Sequence, residues 1–192
     1  MVDKGILAGI KVLTLEQVHA LPWGTGFLAD LGAQVIRIES VHHLQDRKAG
    51  PFPSGKAGSE WWNEGGNLVY YGTRNKQSLC LDVTQSSGKE IFLELVKDAD
   101  IVTDNFRPGT MQRFGFDHES LSSINPNIIT LSSTAYGYTG PWRRAGSRAR
   151  TVDAACGLSY LCLLYTSDAA DEGLGVDLGG RGIIKKRGGG GG

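Results

Sequence analysis

A chain of 192 residues has room for one or two domains. Its 20 Lys and Arg balance 20 Asp and Glu, so the formal net charge is zero and bulk attraction to nucleic acid or membrane is excluded as a basis for function. Hydrophobic residues make up 40% of the chain, enough for a globular core, but no apolar run approaches the ~18 residues of a membrane span and the polar N-terminus does not read as a signal peptide.

The first strand is expected at Ile10-Lys11-Val12-Leu13-Thr14-Leu15, where apolar and polar residues partly alternate. A helical segment follows, with Phe27, Leu28 and Leu31 spaced for one face and Gly32 as its stop. Gln34-Val35-Ile36-Arg37-Ile38-Glu39 reads as the second strand, parallel to the first through a right-handed crossover. Inside this unit Gly24-Thr25-Gly26-Phe27-Leu28-Ala29 matches a dinucleotide fingerprint. That fingerprint works only when its glycines directly follow the strand and open the helix. Glu16 to Trp23 intervene here, and Glu39 comes too early for a ribose-binding acid, so close helix–sheet packing accounts better for the glycines.

Residues 40–72 form a long irregular stretch containing His42, His43, Trp61, Trp62, Tyr70 and Tyr71. The two histidines have no third ligand at suitable spacing, so no metal site is expected. The aromatics either line a substrate pocket or pack the loop down. Gln77 to Val83 is the third expected strand. Ser87-Gly88-Lys89-Glu90 reads as a capping box opening an amphipathic helix with Ile91, Phe92, Leu95 and Val96 on one face. A fourth strand covers Asp100 to Thr103, a short helix Leu121 to Ile124, and a fifth strand Ile128 to Ser132. Strands alternating with helices imply an α/β fold, a Rossmann-like, doubly wound and mainly parallel sheet.

The stretch with most chemical content is Asp104-Asn105-Phe106-Arg107-Pro108-Gly109. It places an amide, an aromatic face and a guanidinium at the carboxyl end of a strand, where open α/β sheets bind ligands. Pro108 suits a first helical turn. Three cysteines, Cys80, Cys156 and Cys162, show neither metal nor disulfide spacing, so a reducing, cytoplasmic setting is expected.

Several motifs agree in order and spacing: Leu7 to Leu13, Ala29 to Glu39, Arg74-Asn75-Lys76-Gln77-Ser78-Leu79, Asp104 to Gly109, Ile124-Asn125-Pro126 and Ala135 to Pro141. Together the chain resembles the N-terminal part of the class III CoA-transferases, the group of formyl-CoA transferase and carnitine CoA-transferase. The resemblance implies a cytoplasmic, interlocked homodimer with a Rossmann-like large domain. It implies transfer of CoA from an acyl-CoA to a carboxylic acid through an enzyme aspartyl-CoA thioester, with CoA as substrate and no permanently bound cofactor. Carried over singly, its CoA-contacting positions fall on His19 and Ala20 after the first strand, on Leu81 and Asp82, on Asn105 and Phe106, and on Arg113. Phe106 would stack on adenine, Asn105 would bond its edge and Arg113 would meet phosphate. A core role for Phe106 and a solvated helix end for Arg113 are the plainer readings of these residues alone. An arginine after the second strand is Ser40 here, with Arg37 as its candidate substitute; an acidic family position falls on Ala149, with Asp153 nearby.

From Cys162 onward the sequence resembles a translated transposase-type sequencing adapter ending in polyglycine, the alternative being a glycine-rich tail. Residues 1–161 are therefore expected to be an N-terminal piece of the large domain, and 162–192 a non-native, disordered tail. The nucleophilic aspartate is expected beyond the genuine sequence, which leaves Asp177 as a decoy and this chain an inactive, poorly soluble fragment. An acyl-CoA racemase of the same superfamily would need a His-Asp pair, which Arg148 to Val152 does not supply. A non-catalytic CoA- or nucleotide-binding half-domain is the other alternative.

Overall fold

The computed structural model describes residues 5–40, 42, 47, 72–147 and 149–158. Five strands, β1 (Lys11–Leu15), β2 (Gln34–Glu39), β3 (Gln77–Cys80), β4 (Ile101–Asp104) and β5 (Ile129–Ser132), form one sheet in the order β3-β2-β1-β4-β5. Every pairing is parallel, with Val12 in register with both Val35 and Ile101. Parallel strands need crossovers, and among the described residues helices supply those that follow β1, β3 and β4. Helix α1 (Ala20–Asp30) joins β1 to β2, α2 (Ser86–Val96) joins β3 to β4, and the short α3 (Thr110–Phe114) and α4 (His118–Ser122) lie between β4 and β5. The doubly wound, Rossmann-like α/β class expected from the sequence is the class observed.

The two faces of the sheet follow from the two-residue period of a strand. Val12 and Val35 point to one face and pack with Ala29 and Ala33 of the α1 segment. Leu13, Leu15 and Ile38 point to the other, where they meet Phe92, Val96, Met111, Phe116, Leu121 and Ile128. Phe92 and Phe116 are fully enclosed, with ring centroids 4.3 Å apart. Asn125 ties this face together at its rim: its amide donates to the carbonyls of Val96 (3.1 Å) and Ala99 (2.7 Å), satisfying backbone acceptors at the end of α2.

Five local expectations are corrected. The buried face of α1 is Leu21, Pro22, Thr25, Gly26 and Ala29, whereas Phe27 and Leu31 are about half exposed. Close approach of helix to sheet selects small residues, so the larger apolar ones lie outside. Gly26 fits the packing explanation for the glycines, but Gly24 is exposed and meets nothing. The capping box does not form: α2 starts at Ser86, and Gln85 occupies the N-cap position without a side-chain bond. The Lys89 amide bonds the Gln85 carbonyl at 2.9 Å, and Gly88 lets this first turn approach Asp82, where a Cβ would lie 2.0 Å from the carbonyl oxygen. Pro108 does not enter α3. The Thr110 amide bonds the Arg107 carbonyl at 3.0 Å and Gly109 has φ 90° and ψ −8°, so Pro108-Gly109 is the centre of a type II turn. Finally, α4 begins at His118, capped by the Asp117 carboxylate on the Ser120 amide.

The chain divides into two compact units, Met1–Arg144 and Ala145–Gly192. In the second, α5 (Ala149–Ala155) carries half-buried Asp153. His43, Trp61, Trp62, Tyr70, Tyr71 and the segment 162–192 with Asp177 lie outside the described residues.

Candidate functional site

A cavity of about 300 Å³ opens at the carboxyl ends of β1, β2 and β3. Its wall takes Leu15, Glu16 and Gln17 from the end of β1; Arg37, Ile38, Glu39 and Ser40 from β2; and Leu81, Asp82, Val83 and Thr84 after β3. Phe106, Thr110, Arg113 and Phe114 close it from the segment after β4, and Arg47 completes it. It lies beside the point where β1 sends its neighbours to opposite faces, the usual ligand position in such sheets.

The floor is held by buried charge. Glu16 has no exposed side-chain surface; its Oε2 accepts from the Thr14 hydroxyl (2.9 Å) and the Thr25 hydroxyl (2.5 Å). Its Oε1 accepts from Lys76 Nζ at 2.6 Å, and Arg37 Nε lies 3.9 Å away. Lys76, itself 1% exposed, also donates to the Pro22 carbonyl (2.8 Å) and the Thr25 hydroxyl (2.7 Å). Burial pushes the Lys76 ammonium down in pKa, and the Glu16 carboxylate beside it pushes back. The Arg74-Asn75-Lys76 motif therefore clasps α1 at both ends. Arg74 and Asn75 hold Asp30 in the last turn, with the Asn75 amide at 2.7 Å, while Lys76 holds the first turn. Asp30 at a helix C-terminus opposes the macrodipole; the Arg74 guanidinium offsets this and holds the Asp30 carboxyl below its usual range.

Above the floor, Arg37 Nε lies 3.4 Å from Glu39, which also accepts from Ser78 (3.1 Å) and is clasped by Arg47 through Nε and Nη2. At the β3 edge, Asp82 accepts from the Thr84 hydroxyl (2.6 Å) and amide (3.0 Å), and His42 lies 3.5 Å away. The Thr84 bonds lead in holding the Asp82 carboxyl below its ordinary pKa. Phe106 meets Phe114 edge-on at 6.3 Å, and Arg113 stands exposed in the last turn of α3. The turn presenting Phe106 is braced by buried Asp104, which accepts from the Phe106 amide (3.0 Å) and the Ser132 hydroxyl (2.5 Å). Burial pushes the Asp104 carboxyl above its usual pKa.

Of the residues singled out from the sequence, Arg37, Leu81, Asp82, Phe106 and Arg113 are brought together around this cavity. His19, Ala20 and Asn105 are not on its wall. His19 is the N-cap of α1 and Ala20 its first residue. Asn105 exchanges two bonds with the backbone of Gln17, at 2.9 and 2.7 Å, and so locks the ends of β1 and β4 together. Glu16, Glu39, Arg47 and Lys76 were missed. Of these, Lys76 lies in the Arg74-Asn75-Lys76 motif, and its partner Glu16 is sixty residues away.

A sequence model of CoA-transferase family III matches residues 7–175. The chain belongs to this family. It is 37% identical over 178 residues to an acyl-CoA transferase of Fusarium pseudograminearum, covering 91% of this chain and 38% of that protein. It is also 37% identical to the acetyl-CoA:oxalate CoA-transferase of Acetobacter aceti, over 81% of this chain and 38% of the relative. Its fold is similar to the crystal structure of a CAIB/BAIF family protein from Brucella suis, with a TM-score of 0.71, 32% identity, and 81% and 40% of the two chains covered. The chain thus spans about two fifths of the length of these three relatives. The family match runs past Leu161 into the stretch expected to be a tail.

Proposed function

We propose that the protein containing this chain is a CoA-transferase that moves CoA from an acyl-CoA to a free carboxylic acid, and that the cavity receives the nucleotide end of CoA. The observation that carries this reading is the placement of Phe106 and Arg113 on one wall of a cavity at the strand ends, in a chain of CoA-transferase family III. An aromatic face and a guanidinium together suit a purine bearing phosphates. The cavity is at the lower end of the usual ligand-pocket range, which suits an adenosine portion better than a whole CoA molecule.

In the proposed reaction an enzyme aspartate attacks the thioester carbonyl, expelling CoA thiolate and forming a mixed anhydride. The thiolate attacks the aspartyl carbonyl, releases the donor acid and leaves an aspartyl-CoA thioester. The acceptor carboxylate then attacks that thioester, and the thiolate returns to the acceptor's acyl carbon, freeing the aspartate. Three covalent intermediates, the donor anhydride, the aspartyl-CoA thioester and the acceptor anhydride, divide one difficult exchange into easier steps. Asp82 is an unsuitable nucleophile because Thr84 holds its carboxylate. We place the attacking aspartate outside residues 1–161, and residues 162–192 outside the catalytic fold, so this chain alone binds CoA without transferring it. The full protein is proposed to work as an interlocked homodimer in the cytoplasm, with no permanently bound cofactor.

The test is an exchange assay on the longest reading frame containing this chain, with acetyl-CoA and succinyl-CoA as donors and a panel of small carboxylic acids as acceptors. New acyl-CoA products, together with an enzyme thioester that hydroxylamine cleaves to an aspartyl hydroxamate with release of CoA, support the reading. Proton exchange at the α-carbon without CoA exchange contradicts it.

A further inference from the structure

Among the described residues three guanidinium groups line the cavity, from Arg37, Arg47 and Arg113, and they are not equivalent. The Arg37 side chain is 5% exposed and lies among Glu16 and Glu39. It is part of the floor, and withdrawing it toward a ligand would break the cluster that holds Glu16. The Arg47 side chain is 19% exposed, nearly four times as much, and lines the same cavity. Glu39 clasps it along the Nε–Nη2 edge, which fixes the plane of the guanidinium relative to the end of β2. Arg113 belongs to the opposite wall, in the last turn of α3.

We infer that Arg47 is a substrate-binding residue that reads one of the two phosphate-bearing parts of CoA, while Arg113 reads the other. This rests on the proposed CoA-binding role of the cavity and gives that cavity a second phosphate subsite. Sequence comparison alone nominated Arg37 to fill the place of an arginine at Ser40; the geometry points to Arg47. The reason is physical. Phosphate recognition needs a guanidinium that meets solvent, held in a defined plane so that little freedom is lost on binding. Arg47 satisfies both conditions and Arg37 satisfies only the second. The Glu39 carboxylate is then a positioning group, shared between the floor through Arg37 and the ligand through Arg47.

The experiment is calorimetric titration of the 192-residue chain with coenzyme A and with 3′-dephospho-coenzyme A. It compares wild type, Arg47→Gln, Arg47→Lys and Arg113→Gln, with thermal unfolding as the fold control. Loss of a charge-assisted bond predicts roughly tenfold weaker coenzyme A binding for Arg47→Gln. Arg47→Lys keeps the charge and loses the fork, and should fall between the two. If Arg47 reads the 3′-phosphate, Arg47→Gln binds both ligands equally while Arg113→Gln still distinguishes them. If it reads the diphosphate, both ligands weaken in parallel. Both patterns support the inference. Wild-type affinity in Arg47→Gln overturns it, and if that variant does not fold, wild-type affinity in Arg47→Lys does the same. A folded wild-type chain that binds neither ligand overturns instead the reading of the cavity as a CoA site.

Discussion

Replacing Lys76 by Met tests the buried floor of the cavity. The ammonium is 1% exposed, the Glu16 carboxylate is fully enclosed, and they are 2.6 Å apart. Removing one member of such a pair leaves the other charged and desolvated, at a typical cost of about 3–5 kcal/mol. The Thr14 and Thr25 hydroxyls still donate to Glu16 and Arg37 remains 3.9 Å away, which places the expected loss near the lower end, about 3 kcal/mol. Against the roughly 5–15 kcal/mol of a whole domain, that is a substantial fraction from a residue with almost no surface. The same reasoning predicts recovery. Lys76→Met combined with Glu16→Leu removes both charges and should return much of the stability, because an apolar pair of similar size often matches a buried ion pair. Urea unfolding of wild type, both single variants and the double variant measures this directly. Losses that simply add, or a Lys76→Met cost below about 1 kcal/mol, the range of an exposed pair, would refute the buried-pair account.

Other outcomes follow from the same geometry. Gly88→Ala should destabilise although it improves helix propensity by about 1 kcal/mol, because the new Cβ would sit 2.0 Å from the Asp82 carbonyl. A stabilised variant by urea unfolding would contradict this contact. The displaced Asp82–Thr84 segment should also weaken CoA binding. Phe106→Ala should weaken CoA by about 1–3 kcal/mol, the usual value of a base–aromatic stack; unchanged calorimetric affinity would remove Phe106 from the site. Asp30, Asp82 and Asp117 have carboxyls held below 3.8, led by Arg74, the Thr84 hydroxyl and the Ser120 amide respectively. Their stabilisation is present above that ordinary value and is lost as pH falls through their lowered folded values. Asp104 is raised above 3.8 by burial, so its contribution is present at lower pH and is lost as pH rises through its folded value. The stability of Asp104→Asn relative to wild type should therefore rise from pH 4 toward neutrality; a difference constant over pH 3–8 would contradict the shift.

The first strand could be read from the partial alternation of apolar and polar residues in Lys11–Leu15, and the sheet class from strands alternating with helices. Helix α1 was harder to read. Hydrophobic spacing selected Phe27 and Leu31, yet a helix lying close to a sheet turns Thr25, Gly26 and Ala29 inward. The Ser87 capping box failed because the first turn of α2 begins earlier, at Ser86, with the Lys89 amide on the Gln85 carbonyl. The site divided in the same way. Phe106 belongs to the strand-end motif, whereas Arg113 was reachable only through the family resemblance; both line the cavity. Asn105, one residue away, turns to Gln17 instead, which alternation along the chain does not reveal. Glu16 and Lys76 could not be paired in advance, since their contact depends on how α1 crosses the sheet.

The most direct measurement is calorimetric titration of coenzyme A into the folded 192-residue chain, with adenosine and pantetheine as competitors. The account predicts saturable binding of one coenzyme A, displaced by adenosine and insensitive to pantetheine, because the cavity takes the nucleotide end. No binding by a chain that unfolds cooperatively, or displacement by pantetheine alone, would contradict it.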